Sequence, residues 1–241
     1  MALLSLEDVT KRYRHGRREF LALRSASIEV DERELVVVLG SRKSGRSTLL
    51  RIAAGIERPD SGTARFAGLD LSRAGSVVGR EIAYCHLSFP AVEGEQVLDH
   101  VALPLLARRR TKREARHAAE RALERASVLG CAAMQPRELN AVERLRVAIA
   151  RGIAASPRVL VADDADDGAG LAQADGVLSL LASLVHDDGV AVLMSTDDAT
   201  SVAGAERVYT LDAGTVRSEA QAPRAQVLAL RPARAGGDAR Q

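Results

Sequence analysis

Tryptophan is absent from this chain, and three tyrosines and three phenylalanines bring the aromatic share to only 2%. A platform that stacks the bases of single-stranded nucleic acid needs aromatic faces, so the composition argues against one. Cysteine is scarce too. Cys85 and Cys131 lie far apart with no C-x-x-C, which suggests neither a disulfide framework nor a zinc site and fits a reduced, cytoplasmic setting. Neither sign of charge dominates. The formal net charge is +2, so nothing global demands a nucleic acid or a membrane surface. The basic runs Arg14 to Arg18 and Arg108 to Arg113 read as local solvated faces.

Long hydrophobic runs are missing. The longest apolar stretches, such as "VLSLLASLV" at 177–185, fall far short of a membrane span. The start, "MALLSLEDVT", has no basic region followed by a long apolar one, so no signal peptide is read. If this protein works at a membrane, it does so through a partner. What the chain does have is 241 residues that are 46% apolar, enough for one α/β domain with a sub-lobe. No internal repeat is visible.

The apolar run "ELVVVLG" (34–40) ends in Gly and suits a buried strand of a parallel sheet. "STLLRIAAGI" (47–56) has helical spacing at Leu49, Leu50, Ile52, Ala53 and Ile56. Further strands are expected at 58–68 (with a turn), 81–87, 158–164 and 190–196, a helix at 171–189 and a hairpin at 207–216 turning near Gly214. From Gln96 to about Arg151 the pattern is mostly helical. Within it, 111–130 is charged on one side and apolar at Ala115, Ala118, Ala119, Leu123 and Val128. Strands alternating with helices imply an open, mostly parallel α/β sheet, with 96–151 as a helical sub-lobe and 231–241 as a disordered tail. Ligands of such sheets bind at the carboxyl ends of strands, where both Gly40 and Asp163 fall.

Between the first strand and helix lies "GSRKSGRST" (40–48), with the spacing G-x-x-x-x-G-x-S of a phosphate-binding loop. Glycine-rich loops that open a helix aim backbone N–H groups and the positive end of the helix dipole at one spot, which suits a polyphosphate. Ser47 would ligate Mg²⁺. The position of the usual Lys holds Arg46, whose planar fork is bulkier than an ammonium. Lys43 could reach inward as a substitute or point to solvent, and solvent is the favoured reading. If residue 43 needs φ > 0, a Lys there costs about 1–2 kcal/mol. A bland strand–turn–helix remains open as an alternative. A second constellation is "VLVADDADDG" (159–168), where Asp163 would hold Mg²⁺ directly or through water and Asp164 would orient or deprotonate an attacking water. Solvated acids at a strand end are its alternative.

Across about residues 3–220 the chain resembles the nucleotide-binding subunit of ABC transporters, most nearly the lipoprotein-release and macrolide-exporter type. "LEDVTKRY" (6–13), "PDSGTARFAGLDLS" (59–72), "VLDHVALPLL" (97–106), "RVAIARGIAASPRVLVAD" (146–163) and "RVYTLDAGTV" (207–216) carry the likeness in order. The resemblance implies a P-loop NTPase-like α/β fold: a mostly parallel sheet, an N-terminal antiparallel β region and the helical sub-lobe. The nucleotide-binding domain would span 1–222 and a partly disordered tail 223–241. It implies ATP and Mg²⁺ as cofactors, with Tyr13 stacking on adenine, residues Gly40, Ser41, Arg42, Lys43, Ser44, Gly45, Arg46, Ser47 and Thr48 around the phosphates, Ser47 and Asp163 at the metal, and Asp164 as the catalytic carboxylate. It implies a membrane permease and a second nucleotide-binding subunit as partners, no nucleic acid, and a cytoplasmic place on the inner face of the membrane through a partner.

The motifs depart from the family pattern. A loop Gly is Lys43. The Gln loop falls on His86–Leu87, and the signature L-S-G-G-Q on "LNAVE", Leu139 to Glu143. Asp164 stands for the catalytic Glu, Ala165 for the Pro that follows it, "DGAG" (167–170) for the D-loop and Asp197 for the switch His. Three readings follow: a subunit that binds ATP weakly or not at all and hydrolyses it poorly; an active ATPase with compensating residues; or a nucleotide-independent scaffold that kept the fold.

Overall fold

The computed structural model describes residues 2–16, 18–73, 79–87, 94–163, 176–202 and 204–221. Two sheets face one another across a helix. In the first, β1 (Leu4–His15) pairs antiparallel with β2 (Arg18–Val30) and with β4 (Ser61–Phe66), and the short β5 (Leu69–Asp70) completes the order β2-β1-β4-β5. The second has the order β10-β9-β3-β8-β7-β6. Its strands β3 (Leu35–Leu39), β6 (Ile82–His86), β7 (Val159–Asp163), β8 (Ala191–Thr196) and β9 (Arg207–Asp212) run parallel, and β10 (Thr215–Gln221) returns antiparallel along β9.

Every strand at the centre of the parallel sheet is apolar on both faces because both faces are covered. Val36, Val38, Val159, Val161, Ala191 and Leu193 pack with α1 (Arg46–Ala53) and the antiparallel sheet. Leu35, Val37, Leu160, Ala162, Val192 and Met194 pack with α2 (Val97–Leu106), α3 (Lys112–Arg125), α4 (Ala141–Ile153) and α5 (Val177–His186). Helix α1 fills the space between the sheets. Leu49, Leu50, Ile52 and Ala53 are all fully buried, and each large apolar side chain so buried contributes about 1.5–3 kcal/mol. That burial fixes the loop ahead of α1 against a rigid floor.

The helical region runs from α2 to α4. Helix α3 opens with a capping box: Thr111 Oγ1 accepts from Glu114 N, and the Glu114 carboxylate accepts from Thr111 N at 3.0 Å. Its buried stripe is Ala115, Ala119, Ala122 and Leu123. The helix stops at Arg125, short of the expected residue 130, because Ser127 takes φ 60 and turns the chain; Val128 is buried beyond that turn. Strand β2 had no forecast from periodicity. Its buried residues Leu23, Ala26, Ile28 and Val30 break step between 23 and 26, beside Ser25 at φ 45, and β1 carries matching register shifts. A bulge of this kind erases the two-residue period. The tail expected from 223 lies outside the described residues.

Candidate phosphate-loop and carboxylate site

The loop from Gly40 to Gly45 joins the carboxyl end of β3 to α1. Gly40 donates its N–H to the Thr196 carbonyl at 3.1 Å, which ties the loop to the end of β8. A Cβ at Gly40 would lie 2.5 Å from the Leu211 carbonyl oxygen and 2.6 Å from Ser44 Oγ, so no side chain fits there. Gly45 caps α1 at φ 107, and a side chain there would run into the Ala22 carbonyl. Ser44 N donates to the Ser41 carbonyl at 3.1 Å, and Gly214 N donates to the Ser44 carbonyl at 2.8 Å. Two strands and the hairpin turn thus hold the loop. Ser44 Oγ is buried and has no hydrogen-bond partner among the described residues.

The cations of the loop divide. Ser41, Arg42 and Lys43 are exposed, and Lys43 sits at φ 64, the left-handed region that favours Gly. Arg46 instead is only 6% exposed. Its guanidinium is buried rather than laid out on the surface.

Asp163 ends β7 and is 1% exposed. Three hydroxyls donate to its carboxylate: Ser47 Oγ at 3.2 Å and Ser195 Oγ at 2.9 Å to Oδ1, and Tyr84 OH at 2.7 Å to Oδ2. Parallel register makes this convergence, because β6, β7 and β8 end side by side with His86 opposite Asp163. Burial, and then the bond to Asp163, push the Tyr84 phenol well above the usual tyrosine range. Ser47 and Asp163, each read from the sequence as a metal ligand, lie in direct hydrogen-bond contact. Tyr84 and Ser195 were missed, although a Ser inside the otherwise apolar "VAVLMST" was a signal that something polar lay opposite.

Tyr13 stands on β1 over α1. Its hydroxyl donates to Glu57 Oε1 at 2.5 Å, accepts from Arg51 Nη2 at 3.3 Å, and lies 3.5 Å from Thr48 Oγ1. Its ring centroid is 5.3 Å from that of Phe20. Burial would raise the Glu57 carboxyl, but hydrogen bonds from Tyr13 and Arg51 hold it below the usual range. The expected adenine-stacking residue is therefore tied to Thr48 and Arg51 of α1 and to Glu57 beyond its end.

At the start of α4 the sequence "LNAVE" forms a capping box. Asn140 Oδ1 accepts from Glu143 N at 2.9 Å, and the Glu143 carboxylate accepts from Asn140 N at 2.8 Å. The N-x-x-E spacing could have shown this from sequence. Glu143 thus places its charge on the positive end of α4. Asp197 is exposed just past β8. Asp164 and the 167–170 segment lie outside the described residues. A cavity of about 310 Å³ opens between β6, α2 and α4, lined in part by Tyr84, Cys85, His86, Arg108 and Arg151. Burial pushes the Cys85 thiol up to about 12.

The donor set around Ser47 fits a hard cation in one respect. A hydroxyl that donates its proton to a carboxylate keeps oxygen lone pairs for a metal, and Mg²⁺ takes few protein ligands and keeps its waters. No group of three His, Cys, Asp or Glu side chains suited to a metal ion occurs among the described residues.

Residues 23–167 match the family profile described as ABC transporter. The chain is 30% identical over 223 residues to the lipoprotein-releasing system ATP-binding protein LolD of Chromohalobacter salexigens, covering 90% of this chain and 94% of that protein. It is 31% identical over 216 residues to LolD of Paramagnetospirillum magneticum, covering 88% and 96%. Its fold matches the dimeric structure of MJ0796, a bacterial ABC transporter cassette, with a TM-score of 0.80 at 27% identity, covering 90% of this chain and 98% of that one. The same cassette in a post-hydrolysis state bound to ADP and Pi matches with a TM-score of 0.80 at 26% identity, with the same coverage.

Proposed function

This chain belongs to the ABC transporter family as a nucleotide-binding subunit, and we propose that its own ATP binding is weak or lost and its hydrolysis impaired, so that it acts with a membrane permease and a competent partner subunit. Residues 1–222 would form the working domain, held on the inner face of the cell membrane by the permease. Among the described residues no helix is long and apolar enough to cross a membrane, which fits attachment through a partner.

The observation that carries the impaired-hydrolysis part of this reading is the capping box at Asn140–Glu143. In the family two subunits sandwich ATP, and the start of this helix meets the γ-phosphate held by the other subunit. There a helix N-terminus attracts phosphate only while its positive end stays open. The Glu143 carboxylate already occupies that end, and Val142 adds bulk where a Gly would allow close approach. Three other substitutions point the same way. Asp197 offers phosphate an acceptor in place of a donor. Asp164 has a carboxylate about 1 Å short of the Glu it replaces, and a misplacement of that size costs about 100-fold in rate. Arg46, in place of the loop lysine, is a bulkier fork and only 6% exposed.

When ATP and Mg²⁺ are bound, the loop N–H groups would cradle the phosphates, Ser47 would ligate the cation and Asp163 would hold Ser47 in place; the cation supplies charge neutralisation at the phosphates. Equilibrium binding of labelled ATP with and without Mg²⁺, paired with turnover measurements, tests the proposal. Millimolar or absent binding, with turnover at least about 100-fold below an ordinary rate of about 10 per second, is expected. Micromolar, Mg²⁺-dependent binding with ordinary turnover by the chain alone would overturn it.

One observation favours the second reading, a nucleotide-independent scaffold: three protein hydroxyls donate to the buried Asp163 carboxylate and give it a structural role of its own. A melting temperature that ignores saturating Mg-ATP supports that reading, because a ligand of the native state must stabilise it.

A further inference from the structure

The basic run at 108–113 has no place in the nucleotide site. It holds five cations in six positions, Arg108, Arg109, Arg110, Lys112 and Arg113, at the connection between α2 and α3. Arg109 turns the chain at φ 59, and Thr111 caps α3. Arg109, Arg110, Lys112 and Arg113 are exposed, and so is Arg80, which approaches from the segment before β6. Burial first, and then the charges of Arg80 and Arg110, hold the Arg108 guanidinium below its usual range.

Helix electrostatics account for only part of this cluster. Cations just past the end of α2 complement its dipole. Lys112 and Arg113, however, occupy the first turn of α3, where the dipole repels them. Asp99 pairs with Arg116 at 2.6 Å, and Glu114 accepts from Thr111 N at 3.0 Å and Thr111 Oγ1 at 2.8 Å while feeling the charges of Arg110 and Arg113, so one carboxylate offsets part of the run. None of the six cations makes an ion pair among the described residues. Beside the run, Leu103 and Leu106 of α2 are each 37% exposed. The cations follow one another around an exposed turn in the chain. Such an array reads charge density over a surface, not the shape of a single acidic group.

We propose that this corner, with Arg80, Arg109, Arg110, Lys112 and Arg113 around Leu103 and Leu106, binds the anionic headgroup surface of a phospholipid bilayer. The contact is direct and does not rest on nucleotide binding. Each basic residue near such a surface strengthens binding about fivefold, and salt screens the attraction within a length of about 10 Å.

The test is co-sedimentation of the full chain, without nucleotide, with vesicles of phosphatidylglycerol and phosphatidylcholine and with vesicles of phosphatidylcholine alone, at low and high salt. Binding to the anionic vesicles only, lost at high salt, is expected. The triple variant R109Q/R110Q/R113Q should bind about 100-fold more weakly while keeping the parent's unfolding temperature. R14Q/R18Q, in the other basic run, should bind as the parent does. Equal binding to both kinds of vesicle, no binding at low salt, or a triple variant that binds like the parent would overturn the proposal. Binding of soluble polyglutamate without vesicle binding would also overturn it, and would reassign the corner to an acidic protein.

Discussion

Lys43→Gly separates the strain in the loop from its chemistry. Lys43 holds φ 64 with its side chain exposed. An L-residue in that region costs about 1–2 kcal/mol, and glycine removes the cost. Glycine also gives the unfolded chain more freedom, which takes back about 0.5–1 kcal/mol. The balance is a stabilisation of about 0.5–1 kcal/mol, or about 1–4 °C in melting temperature for a chain of this length. The chain has no tryptophan, so far-UV circular dichroism is the probe for urea and thermal unfolding. An unfolding midpoint below that of the parent would refute the strain argument. ATP binding gives the same variant a second readout. An exposed Lys43 that takes no part in phosphate binding leaves the affinity unchanged or slightly better. A loss of tenfold or more would show Lys43 standing in for the missing loop lysine, and the chain would be the active ATPase with compensating residues.

Two further substitutions probe the carboxylate and the cap. Tyr84→Phe removes a 2.7 Å bond to the buried Asp163 and should cost about 1.5–3 kcal/mol in urea unfolding at neutral pH. The folded pKa of Tyr84 lies above the unfolded value of about 10, so its contribution is whole below pH 10 and fades as pH rises further; the phenylalanine variant should lose stability less steeply there. Asn140→Ala breaks the reciprocal bonds with Glu143 and should lower stability by about 1 kcal/mol, whereas Asn140→Ser should restore most of it, both read from the urea midpoint.

Sequence made some parts of this molecule legible because one local rule sufficed. The apolar run 34–40 closing on Gly, followed by helical spacing, could only be strand, loop and helix, and β3, the loop and α1 stand there. Gly214 marked the β9–β10 turn for the same reason. Where two strands share a bulge, as in β1 and β2, periodicity fails because the pattern resides in the pairing and not in either strand. The hydroxyls of Tyr84 and Ser195 meet Asp163 only through the register of three parallel strands distant in sequence, which no single-strand rule contains. The Asn140–Glu143 box is different. Its spacing was local and readable, but "LNAVE" was weighed as a departure from a family signature, and its own capping chemistry went unread.

Gly40, Gly45, Ser47 and Asp163 match the ATP-binding pattern, yet the fold alone accounts for each of them. A side chain at Gly40 meets the Leu211 carbonyl, one at Gly45 meets the Ala22 carbonyl, and Asp163 and Ser47 satisfy each other in a buried corner. Replacing either glycine would leave a clash, and replacing Asp163 would leave hydroxyls without their acceptor, with or without nucleotide. Lys43 and Asp197, by contrast, are exposed, and there the pattern has changed. Glu143 and Asn140 changed as a pair that keeps α4 capped. The departures at 43 and 197 therefore sit where packing permits them, whereas Arg46 departs at a position only 6% exposed. A match that packing demands is what an intact scaffold requires, so it adds little to the case for ATP binding. The informative residues are those that only a nucleotide would hold in place, and at 143 and 197 this chain carries carboxylates, which repel phosphate.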